Sequence, residues 1–219
     1  MADTTLRALL FTAICFSALA SIAADQRSIY LKDNSDWWSA LSPAFDLDKI
    51  NGRSRPLDPK NFEIAGIVVG DARIEDIVAK LGQAIIVKRG DASTGRSQVC
   101  YVSREDARTV HLIFEQGEVD QSFRLFESTR DWNGSNYCEP SKLVTSSLST
   151  LSGLRLGLSR AEVEAVLGKP EAENGDEVIY VSETKEQVSS QTFDVSEIIE
   201  AKFMNSKLYC LGVWKTETD

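Results

Sequence analysis

Gly153-Leu-Arg-Leu-Gly157-Leu-Ser159-Arg-Ala-Glu162-Val163-Glu-Ala-Val166-Leu167-Gly168-Lys-Pro170 is the stretch from which the fold is read. Ser159 is a helix N-cap, and Glu162 three residues on completes a capping box. Val163, Val166 and Leu167 then form one apolar stripe on a short helix. Gly168 suits the left-handed position past the helix end, and Pro170 stops the helix from resuming. An earlier stretch, Gly66-Ile-Val-Val-Gly70-Asp71-Ala-Arg-Ile-Glu-Asp-Ile-Val-Ala-Lys-Leu81-Gly82, follows the same pattern. Gly66 answers Gly153, Gly70 answers Gly157, Leu81 answers Leu167 and Gly82 answers Gly168. The earlier copy carries one extra residue near the helix start, where Asp71 is the expected cap. It has Ala84 where the later copy has Pro170.

Strand-like sequence follows both copies and ends alike, with Val110 to Phe114 then Val119 in one, and Ile199 to Phe203 then Leu208 in the other. Two copies with similar downstream patterns predict a duplicated unit. The expected fold class is therefore α+β: two tandem modules, each with short helices packed on one face of an antiparallel sheet of about four strands. The domain division that follows is 1–24 signal peptide, 25–61 N-terminal extension, 62–127 first module, 128–150 linker and 151–219 second module. In the first module, Ile85 to Lys88, Ser97 to Ser103, Val110 to Glu115 and Ser122 to Glu127 read as strands. In the second, Glu177 to Ser182, Val195 to Phe203 and Leu208 to Trp214 do so, with Asn205-Ser-Lys207 as a hairpin turn. Glu183 to Ser190 is polar and reads as an extended loop. Phe114 and Phe203 are expected beneath their helices. Within the extension, Asn34-Ser35-Asp36 caps a short helix carrying Trp37 and Trp38, and Asn51 to Pro59 reads as a turn-rich linker.

Residues 1–24 have the form of a secretion signal: Arg7, an apolar core from Ala8 to Ala20, and small residues through Ala23 and Ala24 for cleavage. The apolar run is shorter than the about 20 residues a membrane helix needs. Cys15 lies inside that core with Ile14 before it, which is not the setting of an acylated cysteine. The expected product is a non-lipidated periplasmic or secreted chain that does not insert in the membrane. Loss of Asp3 and Arg7 leaves the formal charge at −9. Such an acidic chain is unsuited to nucleic acid and fits a protein partner instead. Asn133-Gly-Ser135 matches a glycosylation acceptor.

An oxidising compartment favours pairing among Cys100, Cys138 and Cys210. A Cys100–Cys138 bridge staples the linker to the first sheet and leaves Cys210 as a buried thiol. The rival, Cys138–Cys210, ties the linker to the second module.

The pattern G-hydrophobic-S-x-x-E-V-x-x-x-L-G-x-P over residues 153–170, with strands and a hairpin after it, resembles the BamE/SmpA family. Its tandem form is similar to the β-lactamase-inhibitor-protein-like fold, in which helix–turn–helix elements pack on antiparallel sheets. The resemblance implies fold first. Members act as outer-membrane assembly lipoproteins or as protein inhibitors of secreted enzymes, and the shared motif brings no ligand-binding residues with it.

Chemistry-bearing patterns are sparse. A nucleophile–histidine dyad has to use His111, the sole histidine, and no acidic orienter accompanies it. The three cysteines are too dispersed for a metal site, and the glycines miss both phosphate-binding spacings. Glu162 and Glu164 serve the helix dipole. No catalytic residue, metal or cofactor is expected, and the chain reads as a non-enzyme. Alternation places His111, Ile113 and Glu115, with Glu200 and Lys202 as their counterparts, on sheet faces left open by the helices. These five residues are the expected binding platform. The function they suggest is an exported protein-binding module with an envelope interaction or assembly role. The alternative is a proteinaceous inhibitor of a secreted or periplasmic enzyme.

Overall fold

The computed structural model describes residues 28–30, 45–90, 95–103, 109–128 and 134–218. The expected signal at 1–24, Trp37, Trp38, Trp132 and Asn133 lie outside them. In chain order the elements are β1 (Ser28–Tyr30), β2 (Glu63–Ile64), β3 (Ile67–Val68), α1 (Ile74–Leu81), β4 (Ile86–Arg89), β5 (Arg96–Val102), β6 (Val110–Gln116) and β7 (Asp120–Glu127). There follow β8 (Cys138–Pro140), α2 (Arg160–Leu167), β9 (Ala172–Asn174), β10 (Glu177–Val188), β11 (Gln191–Met204) and β12 (Lys207–Thr218).

The expected pair of sheets does not exist. Among the described residues, ten of the twelve strands form one sheet in the order β1-β4-β5-β6-β7-β12-β11-β10-β9, with β8 alongside β5, while β2 and β3 pair separately. β7 and β12 are antiparallel neighbours from Asp120↔Thr216 to Phe126↔Cys210. This corrects the α+β reading of two modules with separate four-stranded sheets: the described chain is mostly one large, largely antiparallel sheet with two short helices. The physical reason is edge closure. Each set of strands would end in an edge with unpaired N–H and C=O groups, and joining them satisfies both. The core on the helix side is continuous across the seam, where Phe123 and Leu125 of β7 meet Leu211 and Val213 of β12.

Both helices lie over that core. In α2, the Glu162 side chain accepts the Ser159 N–H at 2.7 Å and the Ser159 hydroxyl accepts the Glu162 N–H at 3.4 Å, closing the capping box. These bonds to Ser159 hold the Glu162 carboxyl below its usual range. Gly168 ends the helix with φ of 83°, a region that side chains disfavour. Val163 and Leu167 are buried, but Val166 is exposed, so the apolar stripe is narrower than expected. In α1, the N-cap is Arg73 rather than Asp71, and the Asp76 carboxylate accepts the Arg73 N–H at 3.1 Å. Phe114 and Phe203 are both buried in the helix-side core.

The segments flanking the modules are packed. Arg53 pairs with Glu171 at 2.7 Å and also donates to the carbonyls of Leu167 and Lys169, tying residues 51–57 to the end of α2. Leu57 and Phe62 enter the helix-side core. In the join, the Ser141 hydroxyl donates to the Leu81 carbonyl at 2.7 Å, and Val144 is buried. Among the described residues no helix is long and apolar enough to cross a membrane.

Candidate functional site

The five expected platform residues do share one face of one sheet. Cross-strand register arranges that face in rows. One runs Val102–His111–Phe126–Cys210–Lys202–Glu177, and the next runs Cys100–Ile113–Arg124–Gly212–Glu200–Ile179. A third runs Gln98–Glu115–Ser122–Trp214–Ile198–Val181. The β7–β12 pairing thus brings together residues of both halves.

That face is covered, which corrects the expectation of an open platform. His111 is 1 % exposed, Ile113 and Glu200 are 0 % and Glu115 is 8 %, while Lys202 is partly buried. Two apolar clusters account for part of the cover. Ile113, Cys100, Phe126 and Cys210 pack with Tyr137 and Cys138 of the join, and Ile179, Val181 and Ile198 pack with Phe45, Leu47, Ile50 and Trp214. Segments read as extension and linker therefore supply side chains to this second layer, and burial of apolar surface holds them there.

The Cys100–Cys138 disulfide is present and pins β8 beside β5. Cys210 is the buried free thiol among the described residues. Arg124 donates to the Cys210 sulfur at 3.5 Å, yet burial, the larger influence, pushes the thiol up and keeps it protonated.

Between the apolar clusters lies a polar seam. Arg124 Nη2 donates to Glu200 Oε2 at 3.0 Å, although β12 runs between their strands. Strands two places apart are separated by about 10 Å, and the row crosses β12 at Gly212, which has no side chain to obstruct the pair. The Trp214 ring lies over Gly212 on the same face, and the Arg124 guanidinium stands 5.0 Å from that ring's centroid. Lys202 extends the seam, 3.5 Å from Glu200 and 3.3 Å from Glu177. At the far side, Glu115 accepts from Arg96 at 2.7 Å and from Gln98 at 2.8 Å. Each of these charged groups answers another, so the seam reads as internal structure.

His111 stacks on Phe126 with ring centroids 5.3 Å apart. Burial lowers its pKa to about 4, so the imidazole is neutral near pH 7.

The loop expected over Glu183 to Ser190 is instead strand and turn. Glu183 to Val188 continue β10, and β11 begins at Gln191 after a turn of Ser189 and Ser190. β10 pairs with β11 out to Val188↔Gln191, whereas β12 stops at Thr218 opposite Asp194, and β9 reaches only Ile179. Among the described residues, 186–193 pair with one another alone, from Glu186↔Phe193 to Val188↔Gln191, as a two-stranded ribbon. Its tip is knit by Gln187, whose Nε2 donates to the Ser189 carbonyl at 3.3 Å and whose Oε1 accepts the Thr192 hydroxyl at 3.1 Å. Exposed polar side chains dominate it. The available signal was the β-branched content on both sides of Ser189-Ser190, with Thr184 and Val188 before and Thr192 and Val195 after, although the usual Asn-Gly turn is lacking.

No protein-family model matches the chain, and no curated protein or solved structure does.

Proposed function

We propose that the chain is an exported, non-enzymatic protein-binding module that engages its partner through the β10–β11 ribbon. The observation that supports this reading is the ribbon's pairing: residues 186–193 pair with each other and with neither β9 nor β12 among the described residues. An exposed ribbon already paired as β-structure presents side chains at little further entropic cost on binding. The formal charge of −9 favours a partner with a basic contact surface. The BamE/SmpA resemblance of residues 153–170 accords with an envelope interaction role.

A second reading is inhibition of a secreted or periplasmic enzyme. The ribbon's projection favours it, because such a finger can enter a cleft. One experiment addresses both. The mature chain, and a variant with Lys185–Phe193 replaced by a tight turn, are used to recover partners from the native envelope fraction, with thermal unfolding of each recorded. The module reading expects a saturable partner that the folded, shortened variant loses. Equal recovery by both chains would refute the ribbon's role. Recovery of an enzyme whose turnover falls on adding the intact chain would select the inhibitor.

A further inference from the structure

The outer edge of the ribbon has open backbone chemistry beside a groove. Residues 51–54 run next to β10, where the Arg53 N–H donates to the Val181 carbonyl at 2.9 Å and the Glu183 N–H donates to the Arg53 carbonyl at 3.0 Å. Val181 and Glu183 therefore turn their backbone groups outward. The two-residue period of a strand directs those of Lys185 and Gln187 to the same edge. Beyond Ser54 the chain leaves that edge for the helix side, where the Leu57 N–H donates to Glu197 at 2.8 Å. Among the described residues no strand lies along the outer edge of Lys185 and Gln187, on the side away from β11.

A groove of about 750 Å³ opens at this place, its lining including Glu183, Asp194, Lys185, Ser54, Ser196 and Thr216. Lys185 and Asp194 are paired at 2.9 Å. The groove presents two carboxylates against one ammonium, with hydroxyls between them.

We infer that this edge is a strand-addition site for an extended segment of a partner protein, with a lysine or arginine side chain entering the groove. The inference rests on the ribbon reading above and names the partner's chemistry. Main-chain pairing supplies affinity in such recognition, and a groove for alternate side chains supplies specificity. The Arg53 bridge is already one short instance of pairing along this edge. A second copy of the chain is a poor occupant. Antiparallel self-pairing centred on Lys185 or on Glu186 sets that residue against its own charge.

The test uses the full mature chain and short synthetic peptides of alternating threonine and valine, with a central lysine or, as control, a glutamate. Fluorescence anisotropy is expected to show saturable binding of the lysine peptide and at least about tenfold weaker binding of the control. Gln187→Pro removes an outward N–H while leaving the β11 ladder paired, and should weaken the lysine peptide by about tenfold or more. Gln187→Ala loses the same side-chain bonds, keeps the N–H, and should stay within about twofold. Glu183→Gln with Asp194→Asn should abolish the preference for lysine, and hydrogen exchange at Lys185 and Gln187 should slow on binding. Failure of the lysine peptide to bind at about millimolar concentration, equal binding by Gln187→Pro, or indifference to lysine would each overturn strand addition. In envelope extracts, a partner lost by the shortened ribbon but kept by Gln187→Pro would overturn strand addition while leaving the ribbon reading intact.

Discussion

Arg124 and Glu200 pair at 3.0 Å across an intervening strand, over Gly212. Both side chains are nearly inaccessible, at 3 % and 0 % exposure. The pair links β7 to β11, and so couples the two strand sets through their seam.

Breaking the pair from one side leaves a buried charge. Arg124→Met or Glu200→Gln is expected to cost about 3–5 kcal/mol in urea unfolding. The double change to Met and Leu should cost less than the two single losses combined, because neither charge is then stranded. Additive losses would show that the two groups act independently.

Gly212→Ala tests the space that the pair needs. A Cβ at this position would overlap the Trp214 ring, and displacing that ring should cost about 1–3 kcal/mol. Near-ultraviolet circular dichroism should change with it. An unaltered spectrum and unfolding midpoint would mean that Trp214 moves aside freely.

His111 gives the chain an acid sensitivity of known sign. Its folded pKa of about 4 lies below the 6.5 of a free imidazole, so between these values the unfolded chain binds more protons. Stability is then complete above about pH 6.5 and falls as the pH drops toward about 4, by roughly 2–3 kcal/mol for this residue. Followed by urea unfolding from neutral to acid pH, wild type should lose stability relative to His111→Phe over that window. A constant difference would refute it.

Reduction of Cys100–Cys138, which are 38 residues apart, should lower stability by about 4 kcal/mol on the loop-entropy estimate. The Cys210 thiol should resist alkylation in the folded chain and react once it is unfolded. Non-reducing peptide mapping provides the first check, and alkylation with mass analysis the second.

Expression with residues 1–24 intact should yield a chain cleaved after Ala23 or Ala24 and carrying no lipid. Intact mass of the exported product decides it, and a diacylated Cys15 at the N-terminus would refute the cleavage reading.

Legibility in the sequence followed the range of the interactions. The Ser159–Glu162 box spans three residues, and the face shared by His111, Ile113 and Glu115 follows from strand period alone. The Cys100–Cys138 pairing was favoured because both lie near the first strand set. The β10 extension was missed because Glu183 to Ser190 is polar, and a ribbon without a buried face shows no apolar alternation. The apolar positions Phe45, Leu47, Ile50 and Tyr137 carry no local sign of where they pack.

By itself, the sequence determined both ends of α2, the glycine end of α1, most strand positions and the two-sided alternation, since caps and periods are set by neighbours within a few residues. Only the tertiary structure decided that β7 joins β12, that the second face is covered, and that β10 and β11 stay paired out to Val188 and Gln191. Edge pairing and burial depend on segments nearly a hundred residues apart, as Arg124 and Gly212 are, and no short-range pattern specifies which distant surfaces meet.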